Sequence, residues 1–281
     1  MFNLTTKELE EFIADDIPYF DLTTHLQGIK NKRAKLTIFT REDIILSCIE
    51  EAYSIATLFD CHIEGRLKSG DMIKAGEDII SIIGDYNRVH EAWRNIQIIL
   101  EYSSMIATYT YEMKKSIGKV NGHCELLATR KSFPFAKRFC IKSIMVGGAM
   151  PHRLGLSESI LLFDHHRQAY KSAKKFYATL SKLKQKAPEK KIVVESSELD
   201  DAVNLMNFGA DVIQLDKVDI DTVEQIIGYR DEGHKHIKVL VAGGLNKKNV
   251  KAYAALGVDG VVTSALYNAG IANLGSRLEI L

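Results

Sequence analysis

From Cys124 onward, short apolar runs alternate with helix-patterned segments. The runs are Leu126–Ala128, Ile160–Phe163, Ile192–Glu195, Val212–Leu215, Val239–Ala242 and Gly260–Thr263. Brief apolar runs bounded by turn residues read as buried strands. Strands joined through helices run parallel, because the crossover returns the chain to the same end of the sheet. Two junctions repeat one pattern: Gly209-Ala210-Asp211 and Gly257-Val258-Asp259 each stop a helix with glycine and lead into an apolar run. Six such units predict an α/β barrel or open barrel. A flat doubly wound sheet is the alternative, disfavoured because no GxGxxG follows the first strand.

The upstream half has another texture. Leu4, Leu9, Phe12 and Ile13 recur at helical spacing over Leu4–Ala14, with Thr5 or Thr6 as the N-cap, and Pro18 lies beyond the break. Leu36–Thr40 reads as a strand and Asp43–Phe59 as a helix. Between His62 and Asp85, Gly65, Gly70, Gly76 and Gly84 punctuate short alternating segments, which predicts small antiparallel strands. Arg88–Lys115 is a long helix free of Gly and Pro, with Ser103-Ser104 as the place for an interruption. The expected organisation is an α+β sandwich domain over 1–115, a barrel domain over 116–267, and a tail, 268–281, returning to the first domain as a last strand.

A chain of 281 residues with 46% hydrophobic content can bury a sizeable core. The net charge of +1 gives no global attraction for nucleic acid, so any anion site must be a local cluster. Cys48, Cys61, Cys124 and Cys140 show no metal-ligand spacing and read as reduced, buried thiols. The polar, acidic start does not fit a signal peptide, and no apolar run approaches the ~20 residues that span a bilayer. A cytoplasmic protein is the expectation.

Residues just beyond barrel strands face the mouth. Here they are Thr129, Arg130 and Lys131; Asp164, His165 and His166; Glu195; Asp216 and Lys217; Gly243 and Gly244; and Ser264. Arg130 and Lys131, with His152 and Arg153 across one βα unit, suit a polyanion. Gly243-Gly244 can let backbone amides approach a phosphate, helped by a helix starting near Asn246 and by a turn at Ser264; a plain tight βα turn is the alternative. Glu195 and Asp216 can hold a sugar diol or Mg²⁺ through water, or serve as helix caps. Asp164-His165-His166 lacks the third well-placed ligand that a metal site needs. The lysines from Lys171 to Lys191 alternate with Phe176, Tyr177, Leu180 and Leu183, as on a solvated outer helix.

Thr129-Arg130-Lys131-Ser132, Gly147-Gly148 with His152-Arg153, Glu195, Asp216 and Gly243-Gly244, in that order, resemble the quinolinate phosphoribosyltransferase (nicotinate-nucleotide pyrophosphorylase) family. The likeness extends upstream to Asp21-Leu22-Thr23-Thr24, Lys68-Ser69-Gly70-Asp71, and Arg94 with Ile106-Ala107-Thr108, and so covers nearly the whole chain. The resemblance implies an N-terminal sandwich domain and an open α/β barrel, in a homodimer where one subunit's sandwich covers the partner's barrel mouth. It also implies phosphoribosyl pyrophosphate with Mg²⁺ as donor. Lys131, Glu195 and Asp216 would then be catalytic. Arg94, Tyr102, Thr129, Arg130, His152, Arg153, Phe163, Ala242, Gly243, Gly244 and Ser264 would bind substrates, and no metal would be held by the protein alone. The opening Asp15–Thr24 is similar to the ModD pyrophosphorylase-like branch, associated with molybdate transport.

The departures from the family pattern concern the acceptor. Tyr102 aligns with a family arginine and Phe163 with a family lysine, both of which hold the dicarboxylate. Ala242 stands where serine is frequent, and His165 where the family has asparagine. Each charge-assisted bond is worth roughly 1.5–3 kcal/mol, so losing two lowers affinity for quinolinate by orders of magnitude. The resemblance therefore implies a phosphoribosyltransferase with another acceptor. The alternatives are a true quinolinate enzyme, a non-catalytic phosphate-ligand-binding homologue, and, distantly, a Schiff-base aldolase using Lys131.

Overall fold

A computed structural model describes residues 2–281. The chain divides into two compact units. One holds the chain through Tyr111, Ser132–Gly148 and Tyr267–Leu281; the other holds Glu112–Lys131 and Ala149–Leu266.

The first unit is built on a four-stranded antiparallel sheet in the order Leu274–Ile280, Arg33–Thr40, Asp78–Asp85, His62–Glu64. Ala34, Leu36 and Ile38 alternate along the second of these strands and are buried, as period two requires. They share a core with Ala52 and Ile55 of the helix Ile49–Leu58 and with Ile96 and Leu100 of the helix Tyr86–Gly118. Thr5 caps the helix Thr6–Asp16 in a capping box with Glu8. The C-terminal tail is the strand Leu274–Ile280, paired along its length with Arg33–Thr40.

Three expectations change here. The helix expected from Asp43 begins only at Ile49. Ile44–Ile45 instead pairs with Met72–Ile73, and Cys48 turns the chain with φ +55°. A two-residue strand inside an apolar run carries no periodicity to separate it from a helix. The helix Tyr86–Gly118 runs through Ser103-Ser104 unbroken. Ser103 Oγ donates to Ser47 O at 2.8 Å and, at 3.5 Å, to Leu100 O of its own helix, while Ser47 N donates to Ser104 Oγ at 3.2 Å, so the main bonds of both hydroxyls lie outside the helix. Finally, Ser132–Gly148, expected within the barrel domain, belongs to the first unit. Its helix Lys137–Val146 buries Lys142 against Glu50 and Glu51, and a side chain at Gly147 would stand 2.5 Å from Ala107 O.

The second unit contains a seven-stranded, wholly parallel sheet. Its order is Met150–Pro151, Glu125–Ala128, Gly260–Thr263, Lys238–Ala242, Val212–Asp216, Ile192–Ser196, Ile160–Leu162. The two end strands do not pair, so the sheet is an open barrel. Met150–Pro151 adds one strand to the six read from sequence. Leu127, Val193, Val212, Leu240, Ala242 and Val262 pack together on one face, the barrel interior. The basic run forms two short helices, Ala173–Tyr177 and Leu180–Lys186, with Phe176 and Leu180 buried. No helix among the described residues is long and apolar enough to cross a membrane.

Candidate active site

The inward face of the parallel sheet changes character toward the strands' C-terminal ends. Side chains alternate, so Glu195 shares a face with Val193, and Gln214 and Asp216 with Val212. The register sets Glu195 beside Gln214, and Asp216 beside Ala242. An apolar floor thus gives way to a polar rim of Glu195, Gln214 and Asp216. Ala242, a buried member of the floor, sits at the rim's edge.

Glu195 is half-buried, and Gln214 Nε2 donates to its Oε2 at 3.0 Å. Burial first, and then the negative charge of Asp216, raise its pKa; the Gln214 bond and the charge of Lys131 pull it back. Glu195, Asp216 and Lys131 therefore share one electrostatic neighbourhood. Arg167, from the four-residue helix Asp164–Arg167, buttresses it: its guanidinium donates to Glu195 O at 3.1 Å and to both carboxylate oxygens of Asp201. Tyr177 Oη and Ser196 Oγ also donate to Asp201, at 2.5 and 2.7 Å. Asp164, Arg167, Tyr177, Glu195, Asp201 and Asp216 line a cavity of about 500 Å³. Sequence alone does not single out Arg167, because a lone arginine five residues past a strand carries no signal of such a role.

The loop after the first barrel strand is pinned by Thr129. Its backbone N–H donates to Thr263 O at 3.0 Å, and its Oγ1 accepts from the Lys131 N–H at 3.2 Å. Arg130 and Lys131 follow, both exposed. His152 N–H donates to Ala128 O at 2.8 Å, which holds Arg153 alongside the same strand end. Burial, then the neighbouring charge of Arg130, lower the pKa of Arg153; burial, then Arg153, lower that of His152 and favour its neutral form. The Arg153 guanidinium lies 5.5 Å from the centre of the Phe163 ring. Phe163 directly precedes the helix Asp164–Arg167, one residue beyond its strand, and stacks on His166 at 5.8 Å and 20°. Its N–H donates to His166 Nδ1 at 3.0 Å. A cation and two rings thus make one wall.

Gly243 has φ +86°, and a Cβ there would stand 2.5 Å from Lys217 Cγ and 2.8 Å from Asp216 Oδ1. Only glycine allows that approach. Gly244, φ +73°, has its carbonyl held by the side-chain amides of Asn246 and Asn249, at 3.1 and 3.2 Å. The helix expected near Asn246 begins at Val250 and has six residues, because Asn246 and Asn249 close a turn first. A dipole contribution from a helix start is therefore removed, and backbone amides of the loop are what remains for an anion. Ser264 follows the strand end and is half-buried.

Arg94 and Tyr102 lie in the first unit, on the helix that starts at Tyr86, both exposed. Arg94 stands over the Trp93 ring at 5.5 Å. Tyr102 meets Phe133 edge-on at 6.4 Å, and both line an apolar cavity of about 540 Å³ with Leu9, Phe12 and Phe139. The other predicted site residues all lie in the second unit.

Comparison with known proteins identifies the family. A protein of Pasteurella multocida that carries the name pyrophosphorylase ModD is 34% identical over 269 residues, covering 96% of this chain and 95% of its own. One of the same name from Rhodobacter capsulatus is 31% identical over 250 residues, covering 89% and 95%. The crystal structure of the nicotinate-nucleotide pyrophosphorylase of Ehrlichia chaffeensis superposes with a TM-score of 0.89 at 20% identity, over 99% of this chain and 100% of that one. It shares the fold. The profile of the quinolinate phosphoribosyl transferase N-terminal domain matches residues 21–104, and that of the C-terminal domain residues 106–272. With both domain profiles met in order, and relatives alike over almost their full lengths, the chain belongs to the quinolinate phosphoribosyl transferase family of pentosyl-transferring enzymes.

Proposed function

We propose that this protein transfers the phosphoribosyl group of phosphoribosyl pyrophosphate to an acceptor other than quinolinate. The observation that carries this reading is the wall of Arg153, Phe163 and His166: a ring stands where the family pattern expects a lysine, while Arg130, Lys131 and Arg153 remain. In the transfer, the bond from C1 of the ribose to the pyrophosphate oxygen breaks and a bond from the acceptor's nucleophile to C1 forms. Positive charge develops at C1, so catalysis is a matter of positioning and electrostatics. Arg130 and Lys131 neutralise the leaving pyrophosphate, and Glu195 and Asp216 hold the ribose hydroxyls beside the developing cation. The loop at Gly243-Gly244 receives the 5′-phosphate. Thr129 and Ser264 border it, and His152, Arg153 and Phe163 face the acceptor.

Magnesium would enter with the donor and supply charge neutralisation of its phosphates. Among the described residues no three metal-ligating side chains gather. The pair Glu195 and Asp216 nevertheless fits an ion that keeps its waters and leans on one or two carboxylates plus phosphates. Their mutual repulsion, which lifts Glu195, is what such a cation relieves.

The ModD names of the relatives support placing the chain in that branch, and with it an acceptor linked to molybdenum handling; the family resemblance brings a homodimer. Pyrophosphate release should be measured with phosphoribosyl pyrophosphate, Mg²⁺ and a panel of heteroaromatic acids that includes quinolinate. Release with another member of the panel, and little with quinolinate, is expected. Efficient quinolinate turnover overturns the acceptor assignment, and donor binding without any turnover overturns the catalytic one.

A further inference from the structure

Gln214 occupies the middle of the apolar strand Val212–Asp216 and is 5% exposed. Its Nε2 donates to Glu195 Oε2 at 3.0 Å. An ionised carboxylate only accepts hydrogen bonds, so the amide must turn its NH₂ toward Glu195 and its carbonyl oxygen away. That oxygen, Oε1, is buried and has no hydrogen-bond partner in the protein. The side chain at the same level of the next strand is Leu240, which offers no donor. Leaving an amide oxygen unpaired in an apolar barrel is costly, and a methionine or leucine would fill the same space without that cost. The arrangement is understandable if a donor arrives with a ligand.

We infer that Gln214 is a positioning residue for Glu195 and a third member of the sugar clamp, its Oε1 accepting from a hydroxyl of the phosphoribosyl group. This rests on the phosphoribosyl reading above and deepens it. Three things place the amide there. The register aligns it with Glu195, period two puts it on the face of Asp216, and its one bonded half faces the carboxylate assigned to the ribose. It has a second effect on the site. The donated bond favours the ionised form of Glu195 against the burial and the Asp216 charge that oppose it.

The test is calorimetric titration of the full chain with ribose 5-phosphate and, separately, with inorganic phosphate. It compares the natural protein with Gln214→Met, which keeps the volume, and Gln214→Asn, which cannot reach as far. Both variants should bind ribose 5-phosphate about tenfold more weakly and inorganic phosphate as before. The acid limb of ribose 5-phosphate binding should move to higher pH, because Glu195 has lost a donor to its charged form. If one variant does not fold, the other carries the comparison. Unchanged ribose 5-phosphate affinity, an unmoved acid limb, or parallel weakening of both ligands overturns the role of Gln214 and leaves the phosphoribosyl reading standing. A natural protein that binds inorganic phosphate but not ribose 5-phosphate overturns both.

Discussion

Lys142 Nζ donates to Glu51 Oε2 at 2.6 Å, with the lysine side chain 1% and the glutamate side chain 0% exposed. The same ammonium donates to Glu50 Oε2 at 3.0 Å and to Asn3 Oδ1 at 2.9 Å. It therefore ties the helix that follows the Arg130-Lys131 loop to the helix Ile49–Leu58 and to the N-terminal segment. Breaking a buried pair by removing one partner strands the other charge, at a cost of about 3–5 kcal/mol. Lys142→Met should lower the stability of the chain by that order in urea unfolding, and Lys142→Met with Glu51→Gln should recover part of it.

The same cluster gives the chain a pH dependence. Against the opposing effect of burial, bonds from Ser69 and from Lys142 hold the Glu50 pKa down to about 2, below its ordinary value near 4.5. A carboxylate depressed on folding contributes stability that is complete above its unfolded pKa and is lost as pH falls through the folded one. The urea midpoint of the natural protein should decline between about pH 4.5 and 2. Glu50→Gln should flatten that decline; an equally steep fall in the variant would count against the assignment.

Glu195 has the opposite sign. Its pKa is raised by burial and by Asp216, so folding works against its ionised form. Such a group lowers stability above its folded pKa, and the penalty vanishes as pH falls to its unfolded value. Glu195→Gln should therefore melt higher than the natural protein at pH 7, while donor turnover falls by about a hundredfold through loss of a preorganised charge. The gain in melting temperature should disappear near pH 4, which differential scanning calorimetry at the two pH values checks.

The parallel sheet was legible because its central strands are largely buried and read as nearly continuous apolar runs; Gly260–Thr263 has the bounds expected from sequence. Met150–Pro151 and Ile44–Ile45 were not, since two residues carry no period. The membership of Ser132–Gly148 was hidden for another reason. It depends on Lys142 meeting Glu50 and Glu51, 92 and 91 residues away, and no local pattern encodes that pairing. At the site, residues just past strand ends could be read by counting. Gln214 lies inside a strand, and its one trace was a polar letter in the run Val212–Leu215.

Gly243 leads to a prediction about the loop proposed to receive the 5′-phosphate. Gly243→Ala places a Cβ at φ +86°, 2.8 Å from the Lys217 backbone nitrogen and from Asp216 Oδ1. Backbone cannot yield as a side chain can, so the loop must shift away from the strand end. The variant should lose about 1–3 kcal/mol of stability. It should also bind inorganic phosphate at least tenfold more weakly, which calorimetry would detect.

The proposed function assigns the choice of acceptor to Phe163, and reversing its identity tests that directly. Phe163→Lys puts an ammonium where the family pattern expects one, but it removes the ring under the Arg153 guanidinium and the stack on His166. One charge-assisted bond is worth roughly 1.5–3 kcal/mol, so the KM for quinolinate should fall about ten- to a hundredfold. Turnover of the protein's own acceptor, once found in the panel, should fall in step, because a planar ligand loses the ring that covers it. Steady-state kinetics on both acceptors read the exchange. If Phe163→Lys does not improve quinolinate and leaves the other acceptor untouched, the ring at Phe163 is not the element that selects between them.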